Sequence, residues 1–500
     1  METRGGAERP EPATLALGLL GFCGAALVAL AGPALVDHGV VGWWYSLRLP
    51  GGRSGGTVAS YLGMAALGLA WLGLGERLRR SGRPGTRQLW VIAAAWCLPL
   101  ALGPSLFSSD VYSYLAQGMI LHLGHSPYRD APALLARLGA RHLLDAVWPF
   151  WRHTTAPYGP LFLFVAAAVA GQLHGDLVAG VLVMRVLELA GLALCAGFLP
   201  RLARRSGADP AIATWLVVLS PLSLLELVAA GHNDALMVGL MVAGVTLAME
   251  RRPYLGVALC ALAATVKLPA LVAVAFVAVA SGRARSAEGR SARAGLRLVL
   301  GTSALALAVL VAVSALTGAG AAWVSASVLQ VPGKVHLAVT PTTALAWTVG
   351  SVLHSAGLRV SWRGIESALG DAALLATAVL GLLLLRRVRL ETLLGSLAAL
   401  LLVVVAAGPA MWPWYFAWGL SLLAACRGPQ RSRLLALALA AVVFEVKPDG
   451  IFALPVDTSP AVLAGYLLLA GALYAAARVS ARRRAGITAE RLRALPSGTG

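Results

Sequence analysis

Charge is scarce in this sequence. Asp, Glu, Lys and Arg supply 13% of its 500 residues against 58% hydrophobic, and mean hydropathy is +0.77. Soluble proteins carry roughly 25% charged residues, so the several soluble domains that such a length otherwise suggests are excluded. Cysteine is sparse too. Cys23, Cys97, Cys195, Cys260 and Cys426 fall in or at the ends of apolar runs, without metal-ligand spacing, and read as small buried hydrophobes. The chain lacks a sequence repeat, which weakens an inverted-repeat transporter, and it lacks a nucleotide-binding fingerprint.

What it has is apolar runs of about 18–22 residues from end to end, the length of a bilayer-crossing helix. The expected fold is therefore all-α, a polytopic membrane bundle. The run from Thr14 to Val36 is long for a signal peptide and is followed by no clear cleavage site, so it reads as a retained anchor. The formal charge of +19 does not indicate nucleic acid. Its arginines cluster in short loops and tails: Arg77 to Arg87, Arg201 to Arg205, Arg251 to Arg252, Arg283 to Arg297, Arg386 to Arg389, Arg427 to Arg433 and Arg478 to Arg484. The positive-inside rule puts these in the cytoplasm.

Each interval between clusters then holds an even number of crossings. Parity makes Tyr158 to Leu173, which opens on an APYGP turn, an interfacial or re-entrant helix. It also splits Tyr254 to Ser281 into two short helices broken near Lys267-Leu268-Pro269, because proline disfavours helix at the residue before it. The count comes to about 14 transmembrane or half-membrane helices, the length unit being that of the bilayer core. One membrane domain spans residues 14–478, between disordered cytoplasmic tails at 1–13 and 485–500.

The same parity gathers the polar and aromatic motifs on the other, outer face. The loop 107–157 carries FSSDVYSYLAQG, HSPYRDAP and WPFWRHTTAPYGP; further outer segments are GHND (Gly231 to Asp234), the stretch Gly318 to Ser361 with VPGKVHLAVTPTT, GPAMWPWY (Gly408 to Tyr415) and KPDG (Lys447 to Gly450). Connectors in bundles usually run two to eight residues, so a loop of about 50 points to function.

Asp110 follows Ser108 and Ser109 into a new helix. It is either a capping carboxylate or a general base that deprotonates an acceptor hydroxyl. A sugar donor with a phosphate leaving group needs no acid, so one carboxylate suffices where a hydrolase uses two. Tyr112 and Tyr114 are interface aromatics or a sugar platform, with Gln117 two turns after Asp110. His122, His125, Asp130 and Asp110 form no tight metal cluster; a divalent metal is conceivable but unsupported, and no cofactor is assigned. Arg129 is a solvated charge or a phosphate partner. Asn233 and Asp234 cap the next helix or contact substrate. Arg185 and Glu188, three apart, either neutralise each other or free Arg185 for a lipid phosphate. Lys267, without a sequence-local acid, either snorkels or meets a phosphodiester.

SSDVYSYLAQG (Ser108 to Gly118), APYGPL (Ala156 to Leu161), GHNDALM (Gly231 to Met237), KLP (Lys267 to Pro269) and WPWY (Trp412 to Tyr415) occur in an order that resembles the polyprenol-phosphate-mannose-dependent α-(1→6)-mannosyltransferases of the GT-C superfamily, which build lipomannan-type glycans. The resemblance covers nearly the whole chain. It implies a GT-C bundle with interfacial helices in its first outer loop, and Asp110 as the base. It also implies substrate contacts from Tyr112, Tyr114, Gln117, Arg129, Tyr158, His232, Asn233, Asp234, Lys267, Trp412, Trp414 and Tyr415. The implied donor is polyprenyl-phosphate mannose, the acceptor a mannan or phosphatidylinositol-mannoside-type glycan, the outcome inversion, and the location the plasma membrane with the site outside and both termini cytoplasmic. The first outer loop has no DxD motif, which leaves metal dependence unsupported. The rival readings are a glycolipid transporter or flippase, or a GT-C enzyme for another lipid-linked sugar.

Overall fold

Pro12, Pro160, Pro210, Pro253 and Pro341 each occupy the first turn of a helix, where a missing N–H costs nothing. A computed structural model describes residues 11–36, 42–47, 49–80, 84–287, 291–326, 340–358, 360–451 and 460–468, with 453 and 471 singly. In chain order the helices are α1 Pro12–Leu35, α2 Gly52–Arg77, α3 Thr86–Leu102, α4 Asp110–His122, α5 Arg141–Ala146, α6 Pro160–Gln172, α7 Leu177–Arg205 and α8 Pro210–Val217. A π-helical turn, Leu222–Ala229, follows. Then come α9 Asp234–Met249, α10 Pro253–Val266, α11 Leu271–Ala287, α12 Ala292–Leu316, α13 Ala322–Ser325, α14 Pro341–Ser355, α15 Trp362–Arg387, α16 Leu393–Ala407, α17 Phe416–Ala424 and α18 Arg433–Ala441. The described residues contain no strand element, so the expected all-α membrane bundle is the fold found.

Among the described residues, six helical stretches are long and apolar enough to cross a bilayer, and α8 with the π-helical turn, bent by 48°, makes a seventh if counted as one span. Shorter apolar helices, among them α3, α6, α9, α10 and α16, fill the rest. With no hydrophobic drive between helices inside lipid, small residues let them approach. A methyl on Gly191 would lie 2.3 Å from the Ala235 backbone (α7 on α9), and one on Gly244 would lie 2.6 Å from the Gly256 carbonyl (α9 on α10). One on Gly118 would lie 2.5 Å from the Ala166 backbone (α4 on α6).

α4 and α6 run in parallel: Tyr114 meets Phe162, Gly118 meets Ala166, and Gly171 meets His122. Each has 13 residues, about 20 Å of helix. Both start deep in the bundle and end near the start of α7, where His142 reaches the Gly175 carbonyl at 3.2 Å. The chain thus leaves and re-enters at one end without α6 crossing the bundle, as parity required. The break between α10 and α11 also falls where expected. Lys267 is extended (φ −152°, ψ 129°) and a single 3-10 turn, Leu268–Ala270, restarts the helix.

Helix directions put the described arginine clusters at the opposite end of the bundle from GHND, KLP and WPWY. α7, α9, α11 and α15 terminate at Arg205, Met249, Ala287 and Arg387, and Arg283 reaches from α11 to the end of α15 by donating to the Val388 carbonyl at 2.7 Å. α1 begins at Pro12, inside the expected 1–13 tail. The tail 485–500, the Arg478 to Arg484 cluster and the VPGKVHLAV segment lie outside the described residues.

Candidate functional site

The site forms where broken helices meet. Asp110 opens α4, Tyr158 precedes α6, His232, Asn233 and Asp234 open α9, Lys267 sits at the α10–α11 break, and Trp412, Trp414 and Tyr415 precede α17. Ser108 Oγ accepts the Asp110 N–H at 3.1 Å, while Ser109, the N-cap residue of α4, makes no side-chain cap bond. The turn leading in is gripped from far along the chain. Phe107, at φ +64°, donates its N–H to the Pro448 carbonyl at 2.9 Å, and Arg53 anchors that KPDG turn through Asp449 at 2.6 Å. A non-glycine residue in the left-handed region is held there by its surroundings.

Asp110 keeps 15% of its side chain exposed and faces His232 Nε2 at 3.8 Å. Burial raises its pKa to about 6, with Asp234 pushing the same way, while Lys267 and hydrogen bonds from Ser108 and Tyr158 push back. A carboxylate that titrates just below neutrality is suited to proton transfer. Asp234, fully buried, is held at both oxygens: Lys267 Nζ donates to Oδ2 at 2.7 Å and Trp418 Nε1 to Oδ1 at 2.5 Å. Lys267 also lies 4.4 Å from the Tyr415 ring and 5.6 Å from the Trp418 ring. His232 stacks on Trp414 at 3.7 Å, and Trp414 on Trp412 at 4.8 Å. Tyr114 packs edge-on against Tyr158 at 4.8 Å.

Several alternatives left open by the sequence are resolved by these contacts. Neither Asn233 nor Asp234 caps α9: Asn233 makes no side-chain cap bond, and both its amide atoms are buried without a partner. Lys267 is not a lone, snorkelling lysine, because it is buried against Asp234. Arg185 and Glu188 lie in each other's field but make no direct hydrogen bond or salt bridge, and the terminal nitrogens of Arg185 are taken up elsewhere. Its guanidinium donates to the carbonyls of Ala101, Gly103, Pro104 and Ala229, while the Glu188 oxygens have no hydrogen-bond partner.

Not every candidate joins the cluster. Tyr112 and Tyr114 stand on opposite sides of α4, as two-residue spacing on a helix requires. Tyr114 turns to Tyr158, whereas the Tyr112 hydroxyl lies in the field of Arg185. Gln117 is buried with its Oε1 unpartnered. Arg129 is exposed, beyond the far end of α4. His125 faces Asp130 at 3.8 Å, a helix length of about 20 Å from Asp110, and no three metal-ligating side chains converge among the described residues. Trp418 was missed, although it lies in the first turn of α17, three residues past Tyr415, on whose ring it stacks at 4.4 Å.

A sequence profile described as alpha-(1->6)-mannopyranosyltransferase, N-terminal domain, matches residues 15–285, and one described as MptB C-terminal domain matches residues 339–475. The site draws on both stretches, since Trp414 and Trp418 of the second close over His232 and Asp234 of the first. The chain is 33% identical over 455 residues to alpha-(1->6)-mannopyranosyltransferase A of Mycobacterium tuberculosis, covering 86% of this chain and 84% of that one. It is 32% identical to a probable alpha-(1->6)-mannopyranosyltransferase of Mycolicibacterium smegmatis (78% and 74% covered) and 28% identical to alpha-(1->6)-mannopyranosyltransferase B of Corynebacterium glutamicum (79% and 70% covered). No solved structure matches. With its helix-break site and these relatives along most of its length, the chain belongs to the alpha-(1->6)-mannopyranosyltransferase family and is a polytopic membrane mannosyltransferase.

Proposed function

We propose that the enzyme moves mannose from polyprenyl-phosphate mannose onto a growing mannan or phosphatidylinositol-mannoside-type acceptor, in α-(1→6) linkage and with inversion, at the extracytoplasmic face of the plasma membrane. The observation that carries this reading is the convergence of a carboxylate, Asp110, and a buried ammonium, Lys267, at the breaks of short helices. Lys267 spends one of its three N–H donors on Asp234; the others suit the oxygens of a phosphodiester. Asp110 takes the proton of the acceptor hydroxyl as its oxygen attacks the anomeric carbon, opposite the departing phosphate. A β-linked donor then gives an α-linked product.

A sugar brings many hydroxyl groups, and the site offers unpaired buried partners for them in Asn233 Nδ2 and Oδ1. Trp412, Trp414 and Tyr415 supply an aromatic wall. Beside the site end of α3, an apolar hollow of about 180 Å³ between Trp43, Trp44, Leu30, Pro33 and Leu102 suits part of a prenyl tail.

The test is turnover of labelled polyprenyl-phosphate mannose by membranes containing the enzyme, with a short mannan acceptor. The expected product carries one new α-(1→6) mannose. Transfer from a nucleotide sugar alone, or retention of configuration, would overturn the reading. For sidedness, a cysteine placed at position 125 should react with impermeant reagent from outside and one at 205 only from inside; the reverse pattern would put the site in the cytoplasm.

A further inference from the structure

Asp110 and His232 present a conflict. A backbone carbonyl only accepts hydrogen bonds, so the contact between His232 Nδ1 and the Glu226 carbonyl fixes the ring proton on Nδ1. Nε2 is left with a lone pair, aimed at a carboxylate oxygen 3.8 Å away and without a partner of its own. The ring is fully buried, and burial together with the charge of Lys267 drives its pKa down to about 3. At working pH the contact is therefore not an ion pair. It is one acceptor facing another.

The backbone builds this orientation. In the π-helical turn the ladder reaches one residue further than in an α-helix: Ala230 N–H donates to Leu225 and His232 N–H to Leu227. Gly231, at φ +74°, turns the chain so that the His232 ring folds back over the Glu226 carbonyl. Trp414, stacked at 3.7 Å, holds the ring plane.

The conflict disappears when Asp110 carries a proton. The other groups that face Asp110 are poorer acceptors for that proton. Lys267 has no lone pair, and the oxygens of Asp234 are held by Lys267 and Trp418. Ser108, Tyr114, Tyr158 and Tyr415 offer hydroxyl groups, weaker acceptors than an imidazole nitrogen. We propose that His232 is a positioning residue whose Nε2 accepts the hydrogen bond of protonated Asp110, stabilising the base in the form it takes during transfer. The proposal rests on Asp110 being the base. In the step, the acceptor O–H gives its proton to Asp110, the acceptor oxygen bonds to the anomeric carbon, and the C–O bond to phosphate breaks with its electron pair leaving on phosphate. The Asp110 O–H then turns to Nε2, a rotation that the broad carboxyl torsion permits, and its proton passes to water as the product leaves.

The experiment is the pH dependence of kcat/KM in wild type, His232→Phe, His232→Gln and Asp110→Asn. Wild-type activity should fall below about pH 6, where Asp110 becomes protonated. Phenylalanine keeps the stack on Trp414 and removes the acceptor. Protonated Asp110 then loses its partner, so the acid limb should move down by about one pH unit and the plateau should drop about tenfold. Glutamine, which can both donate and accept, should restore the limb toward wild type. If His232→Phe does not accumulate, His232→Asn, too short to reach Asp110, must show the same shift. An acid limb that stays in place in the variant that folds overturns the proposal, even with a lower plateau. If Asp110→Asn loses activity while the limb is unmoved, only this proposal falls; if Asp110→Asn stays active, the assignment of the base falls with it.

Discussion

Arg185 and Lys267 are both buried cations near the same end of the bundle, yet they sit in opposite kinds of environment. Arg185 spends four of its donors on carbonyls of the α3–α4 connection and the end of the π-helical turn, and no carboxylate hydrogen-bonds to it among the described residues. It ties broken backbone together, doing for freed carbonyls what water does outside a membrane. Lys267 has one carboxylate, two aromatic rings and donors to spare. A cation whose terminal nitrogens all go to backbone carbonyls, with only Nε left over, holds a fold, whereas an ammonium with two of its three N–H donors to spare can hold a ligand. Charge in an apolar segment marks both residues equally, and only the partner list separates them.

The largest effect should come from Asp110→Asn, on the Lys267 side of this comparison. Asparagine keeps the size of aspartate, and the backbone N–H of residue 110 keeps its partner in Ser108 Oγ. Turnover in membranes with matched protein should fall about 100- to 10,000-fold with folded yield intact; activity within a few-fold of wild type would remove Asp110 from the chemistry. Arg185→Met should show the converse pattern. Each orphaned carbonyl costs about 1–3 kcal/mol, so the protein should lose thermal stability or fail to accumulate, while whatever folds keeps its affinity for donor. A stable variant with weakened donor binding would erase the distinction between the two cations.

Lys267 needs a paired substitution, because removing it alone strands Asp234 in the interior. Lys267→Gln with Asp234→Asn keeps an amide contact and deletes both charges. Catalytic efficiency should fall roughly 10- to 150-fold, the worth of a charge-assisted phosphate contact. Unchanged donor affinity would make the pair structural, like Arg185. The smallest change is expected for Arg129→Gln. Its side chain is exposed at the far end of α4, so activity should stay within about twofold of wild type, as for a surface substitution; a larger loss would bring the outer loop into the donor site.

Much of this was legible in the sequence because it rests on local properties. Transfer free energy and run length determine that the chain lives in a membrane. Positive clusters and parity predict that GHND, KLP and WPWY share one end, and that Tyr158 to Leu173 turns back without crossing. Pro269 marks the break beside Lys267, and SSD marks the start of α4 with Asp110 in its first turn.

Tertiary structure alone decided the partners. Lys267 finds Asp234 across 33 residues, Trp418 finds Asp234 across 184, and Arg185 finds the Ala101 carbonyl across 84. The lone pair that His232 turns toward Asp110 depends on a π-helical turn that composition does not announce. Periodicity tells which face of a helix is apolar. Which buried donor meets which buried acceptor depends on how closely the glycine-lined helices approach one another, and that is settled only when the whole bundle packs.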